Sequence, residues 1–184
     1  DMVHSAKEEF HLIPEGAIAL NWGYAERKTM VMENISIGLK ERNVPYYVCP
    51  GTNTWISITG RYDLMHFNVQ NCAEMGMRHG ADGYMLTDWG CGEGHMHNPI
   101  QALPAIALAG QYAWNVGGGQ SGGNFKHPFK NAAHKYINDY FFGGVDVCEH
   151  IYRMQQYYLL EPERTHNCTM TGYILGIIWQ VNMW

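Results

Sequence analysis

The stretch Ala17-Ile18-Ala19-Leu20-Asn21-Trp22-Gly23-Tyr24 decides the fold class. Its first five residues form an apolar run, preceded by the turn residues Pro14-Glu15-Gly16 and closed by Trp22-Gly23, as in a buried parallel strand. From Lys28 to Arg42, Met32, Ile35 and Leu39 recur at helical spacing with charges between them, and Asn43-Val44-Pro45 ends that helix. Tyr46-Tyr47-Val48-Cys49 is a second short strand, cut off by Pro50-Gly51. Leu64 to His79 is helical again, with Phe67, Cys72 and Met75 on one face and Gly80 as its stop. Gly83-Tyr84-Met85-Leu86-Thr87 forms a third strand before Asp88-Trp89-Gly90, and Gln101 to Trp114 resumes a helical pattern. Strand, loop and helix alternating at roughly 35-residue spacing is the pattern of βα units on a parallel sheet.

On either side of these units the pattern changes. Val3 to Leu12 reads as the helix of a preceding unit, so Asp1 is expected where an earlier strand has just ended. Gly117 to Gly123 is a Gly-rich linker, followed by helices expected at Ala132 to Phe142 and Val145 to Leu160, joined by Gly143-Gly144. Tyr173 to Trp184 carries Gly and Trp without clear periodicity. The expected organisation is an α/β domain at 1–116, the linker at 117–123 and a helical extension at 124–184.

Composition narrows the function. Among 184 residues, 6 are Trp and 12 are Tyr while only 16% are charged, so the chain is rich in flat, partly polar surface of the kind sugars stack on. A formal net charge of -5 and the absence of any Lys/Arg cluster argue against a nucleic-acid partner. No stretch approaches the ~20 apolar residues of a spanning helix, so no membrane role is expected. Five cysteines at irregular spacings favour reduced thiols and a cytoplasmic setting.

In a parallel α/β sheet, function collects at the carboxyl ends of the strands. Those ends read Asn21-Trp22-Gly23-Tyr24, then Pro50-Gly51-Thr52-Asn53-Thr54-Trp55, then Thr87-Asp88-Trp89-Gly90-Cys91-Gly92-Glu93-Gly94-His95. Each sets a tryptophan near glycine, which permits close approach, while the indole offers an apolar face to sugar C–H groups and one N–H donor to hydroxyls. A single tryptophan fits a core position equally well; three at equivalent strand ends point to a pocket. Asp88 beside the third could accept from sugar hydroxyls or cap its own loop. Cys91, Glu93, His95 and His97 alternate as potential metal ligands, yet form no standard zinc pattern, and neither a metal nor another cofactor is expected. Cys49 and Cys91 read as inert thiols, since nothing places a base beside them. Arg61 could bind a substrate oxygen or tie its loop to a carboxylate such as Asp63, and the structural use is expected.

At these loops the chain resembles bacterial members of glycoside hydrolase family 20, the β-N-acetylhexosaminidases. The matching stretches are Ala17 to Tyr24, Tyr47-Val-Cys-Pro-Gly-Thr52 with Trp55, Gly60-Arg61, Gly83-Tyr-Met-Leu-Thr-Asp-Trp-Gly90 with Gly94-His95, and Tyr157-Tyr-Leu-Leu-Glu-Pro162 with Arg164. The resemblance implies a (β/α)₈ TIM barrel, of which this chain would hold strands six to eight followed by the helical extension. It also implies removal of terminal N-acetylhexosamine from glycoconjugates with retention, the substrate's own acetamido oxygen attacking the anomeric carbon. The family's adjacent Asp-Glu acid pair has no counterpart in this sequence and is expected upstream of Asp1, leaving no catalytic residue here. Trp22 and Trp89 would be walls around the sugar, Trp55 would lie in the loop of the penultimate strand, and Asp88, Glu93 and His95 would complete the substrate-binding set. Two positions depart from the family. Cys91 stands where relatives carry a carboxylate two residues after the last tryptophan, with Glu93 as the nearest substitute, and the strand-seven tyrosine that grips the acetamido group has no counterpart.

Two other functions fit the residues: a non-catalytic carbohydrate-binding half-barrel, and a metal-dependent enzyme using the Cys91 to His97 loop. Open barrel strands expose pairing edges, so self-association or pairing with a missing N-terminal half is expected.

Overall fold

The computed structural model describes residues 7–24, 29–90, 99–116 and 132–181. The chain is mixed α/β. Three parallel strands, β1 (Ala19–Trp22), β2 (Tyr46–Cys49) and β3 (Gly83–Tyr84), lie in the order β1-β2-β3. Each is followed by a helix: α1 (Thr29–Glu41), α2 (Tyr62–His79) and α3 (Leu103–Trp114), the last entered through a 3₁₀ turn at Pro99–Ala102. The third strand is shorter than its apolar run, but pairing resumes where Gly51 meets Thr87, with Thr52 N–H on the Thr87 carbonyl at 3.0 Å and Thr87 N–H on the Pro50 carbonyl at 2.9 Å. Of the expected first helix, residues 7–12 form a 3₁₀ turn, and residues 1–6 lie outside the described residues.

Strand alternation sorts the side chains. Asn21, Val48 and Tyr84 stand in register, and this face meets the helices: Val48 and Tyr46 join Phe10, Met32, Ile35, Leu39, Cys72 and Met75 in one core cluster. Asn21 is polar within that face because its amide donates to the Met32 carbonyl (2.8 Å) and the Ser36 hydroxyl (2.9 Å) of α1. The other register row is Leu20, Tyr47 and Gly83, with the Tyr47 ring lying across Gly83. Here Leu20 is 46% exposed and Met85 40%. Among the described residues one face of the sheet is thus packed by helices and the other is left exposed at Leu20 and Met85, although parallel sheets ordinarily bury both.

The first helix beyond residue 131 packs on the helices of the α/β units. Ala133 of α4 (Ala132–Phe142) enters a second cluster with Tyr62, Met65 and Val69 of α2 and Leu108 and Tyr112 of α3, and buried His134 meets the Tyr62 hydroxyl at 2.6 Å. The expected helix from Val145 to Leu160 is broken. α5 (Val147–Met154), capped by the Asp146 carboxylate on Glu149 N–H, stops at Gln155, and a 3₁₀ turn at Tyr157–Leu160 follows. The break is tertiary in origin: buried Gln155 donates to the Gln101 carbonyl at 3.0 Å, and Tyr157 turns its hydroxyl onto Ile58 N–H at 2.9 Å. Of the stretch without sequence periodicity, residues 173–181 fold within α6 (Met170–Val181), and residues 182–184 lie outside the described residues. The linker at 117–123 lies outside the described residues. Among the described residues no helix is long and apolar enough to cross a membrane.

Candidate functional site

Parallel pairing brings the three strand ends to one edge, and Tyr24 joins them. Its buried ring stacks on Trp22 at 5.4 Å and 25°, meets Trp55 edge-on at 4.9 Å and 72°, and meets Trp89 at 6.5 Å and 68°. Its hydroxyl accepts from Trp89 Nε1 at 2.9 Å and bonds the Thr87 hydroxyl at 3.0 Å. Burial pushes the phenol up from its ordinary range, so it remains neutral. Asn68 of α2 ties the first two ends from below, accepting from Gly51 N–H (2.9 Å) and donating to the Gly23 carbonyl (2.8 Å). Gly51 is required by space: a Cβ there would lie 2.5 Å from Trp55 and 2.7 Å from Tyr24.

The three tryptophans receive different roles. Trp55 is 1% exposed. Its Nε1–H is taken by Asn167, at 3.1 Å to the carbonyl and 3.3 Å to Oδ1, and the Arg61 guanidinium lies 5.7 Å from its ring centre. Among the described residues it is buried beneath the cluster and supports it from there. Trp89 is 50% exposed, with its N–H spent on Tyr24, so what it offers is its ring face. Trp22 is partly exposed, leaning on Tyr24.

Asp88 lies exposed beside Trp89, its Oδ1 2.6 Å from the Thr52 hydroxyl and 3.2 Å from that of Thr54. Both threonines are buried and come from the neighbouring strand's loop. Glu93 and His95, with Cys91 and His97, lie outside the described residues. Among the described residues no group of three His, Cys, Asp or Glu side chains is placed to hold a metal ion.

Arg61 ties its loop, though not to Asp63. Its guanidinium is buried and donates to Asn53 Oδ1 (3.3 Å) and the Cys168 carbonyl (3.5 Å), while Asp63 accepts from Gln156 (3.2 Å). Burial lowers its pKa to about 10, leaving it charged at neutral pH. Cys49, at the end of β2, is buried, and desolvation raises its thiol to about 11, so it holds no thiolate for nucleophilic chemistry.

Four residues escaped sequence reasoning: Tyr24, Thr52, Thr54 and Asn167. Tyr24 carried a signal, since it follows Trp22 by two positions and so shares a strand face with it if the strand continues. Asn167 carried none, because it meets Trp55 across 112 positions. The assembled edge can lay an apolar ring face against a ligand and accept a hydrogen bond at a carboxylate next to it. Compared with protein-family models, curated proteins and solved structures, the chain matches none.

Proposed function

We propose that this edge is the sugar-binding side of a β-N-acetylhexosaminidase-like glycoside hydrolase site. The observation that carries the proposal is the convergence of Trp22, Tyr24 and Trp89 at one sheet edge, leaving the Trp89 ring half-exposed beside the Asp88 carboxylate. An indole face suits the C–H face of a pyranose, and a carboxylate accepts from its hydroxyls. The likeness of the strand-end motifs to glycoside hydrolase family 20 adds the reaction: release of terminal N-acetylhexosamine by a retaining, substrate-assisted path. No adjacent Asp-Glu pair occurs in these 184 residues, so the chain is assigned binding, and the acid is assigned to residues outside it.

The same reading makes the three βα units part of a TIM barrel. The open sheet face at Leu20, Tyr47 and Met85 favours this, because further strands curving over it would bury it. The partner is then a missing N-terminal half or a second copy. Light scattering is expected to show association of the 184-residue chain, and a stable, well-folded monomer would contradict that.

Calorimetry with N-acetylglucosamine, paired with a chromogenic N-acetylglucosaminide, tests the function. Saturable binding without turnover, lost in Trp89→Ala, is expected of this chain; absence of binding removes the sugar reading altogether. A carbohydrate-binding protein without hydrolysis is the second reading, favoured by the missing acid pair. Binding together with turnover of the chromogenic substrate would exclude it.

A further inference from the structure

The Asp88 carboxylate lies against two buried hydroxyls from another strand's loop. Thr52 and Thr54 lie 36 and 34 positions away in the chain, and both are almost fully buried, while the carboxylate they meet is exposed. Three short contacts connect the three oxygens: Thr52 to Asp88 Oδ1 at 2.6 Å, Thr52 to Thr54 at 2.9 Å, and Thr54 to Asp88 Oδ1 at 3.2 Å. Two hydroxyls supply only two hydrogens. They are best used on the two shortest contacts, Thr54 donating to Thr52 and Thr52 to the carboxylate. The 2.6 Å length belongs to an O–H bond onto a charged oxygen, and donation from Thr54 polarises the Thr52 hydroxyl and strengthens that bond.

We infer that Thr52, backed by Thr54, is the positioning residue for Asp88, holding its carboxylate at the angle from which it accepts a hydroxyl of the bound sugar. The inference rests on the sugar-binding reading. Held from beneath by Thr52, the exposed carboxylate does not have to be ordered when a ligand arrives, and binding avoids that entropic cost. Thr52 touches no sugar itself and acts through Asp88.

A double-mutant cycle tests this, using calorimetric affinity for N-acetylglucosamine of the 184-residue chain and circular dichroism to verify folding. Thr52→Val keeps shape and loses the hydroxyl; it is expected to weaken binding about tenfold, as does Asp88→Asn. Thr52→Ser keeps the hydroxyl and is expected to stay within about twofold of the parent, and Thr54→Val to lose about threefold. On the Asp88→Asn background, Thr52→Val is expected to cost nothing further. Additive losses in that double variant, or an unchanged affinity in Thr52→Val, would overturn the inference while leaving the sugar site standing. Should Thr52→Val fail to fold, the Thr54→Val and Thr52→Ser pair decides: equal affinities of both with the parent overturn the inference. No binding by the parent chain overturns both the inference and the reading beneath it.

Discussion

The loops after β2 and β3 both set a tryptophan close to glycine at a strand end, yet Trp55 is 1% exposed and Trp89 50%. Their indole N–H groups are both engaged, but by different parts of the molecule. Trp89 donates to Tyr24, within the strand-end cluster, whereas Trp55 donates to Asn167 in the C-terminal segment. That segment covers the β2 loop closely. Thr169 N–H bonds the Ile56 carbonyl at 3.0 Å, Tyr157 takes Ile58 N–H, and a Cβ on Gly172 would sit 2.3 Å from the Ile56 carbonyl oxygen. Ile56 itself has φ 45, an unfavourable value for a β-branched residue, which persists because its surroundings hold it there. Burial of an aromatic at a strand end is therefore decided by what lies over it, and the same local motif yields a foundation in one loop and a surface in the next.

Four substitutions test the contrast, ordered by expected loss of stability. Trp55→Ala is the most severe, at about 3–5 kcal/mol, as is usual for removing a buried large aromatic. Against the ~5–15 kcal/mol of a typical domain this is a large fraction, so chemical denaturation should show a greatly lowered midpoint. Gly172→Val follows at roughly 1–3 kcal/mol, because a side chain there pushes α6 away from Ile56. Asn167→Ala is expected to cost about 1 kcal/mol: it removes Oδ1 but leaves the carbonyl to accept from Trp55. Trp89→Ala is the mildest, within about 1 kcal/mol by the same denaturation measurement, since half of its ring is already in water. For the proposed sugar binding the order is expected to invert, with Trp89→Ala losing the most affinity in calorimetry. A Trp89→Ala protein as unstable as Trp55→Ala would erase the distinction between the two loops.

The parts of this architecture that were legible in the sequence are those fixed by neighbours in the chain. β2 begins at Tyr46 and ends at Cys49 as its flanking Pro45 and Pro50 require, and α2 ends at Gly80, which takes the left-handed conformation with φ 69. β1 ends at Trp22, one residue past the expected Asn21, and β3 ends at Tyr84, short of the expected Thr87. Long-range contacts account for what was missed. The burial of Trp55 depends on Asn167, the break after Met154 on a hydrogen bond from Gln155 to Gln101, and α6 on a glycine whose purpose appears only when Ile56 is packed against it. Sequence proximity pairs Arg61 with Asp63, while in space it meets Asn53 and a backbone carbonyl. None of these partners leaves a periodic trace.

Gly51 carries a consequence for how such a site can change over generations. A single methyl group at this position would strike both Trp55 and Tyr24, so the position tolerates no side chain without parting the second strand end from the first. Trp89 and Asp88 stand on that foundation without being part of it. A lineage can therefore exchange the exposed residues at this edge without disturbing the packing beneath them, for as long as position 51 stays empty.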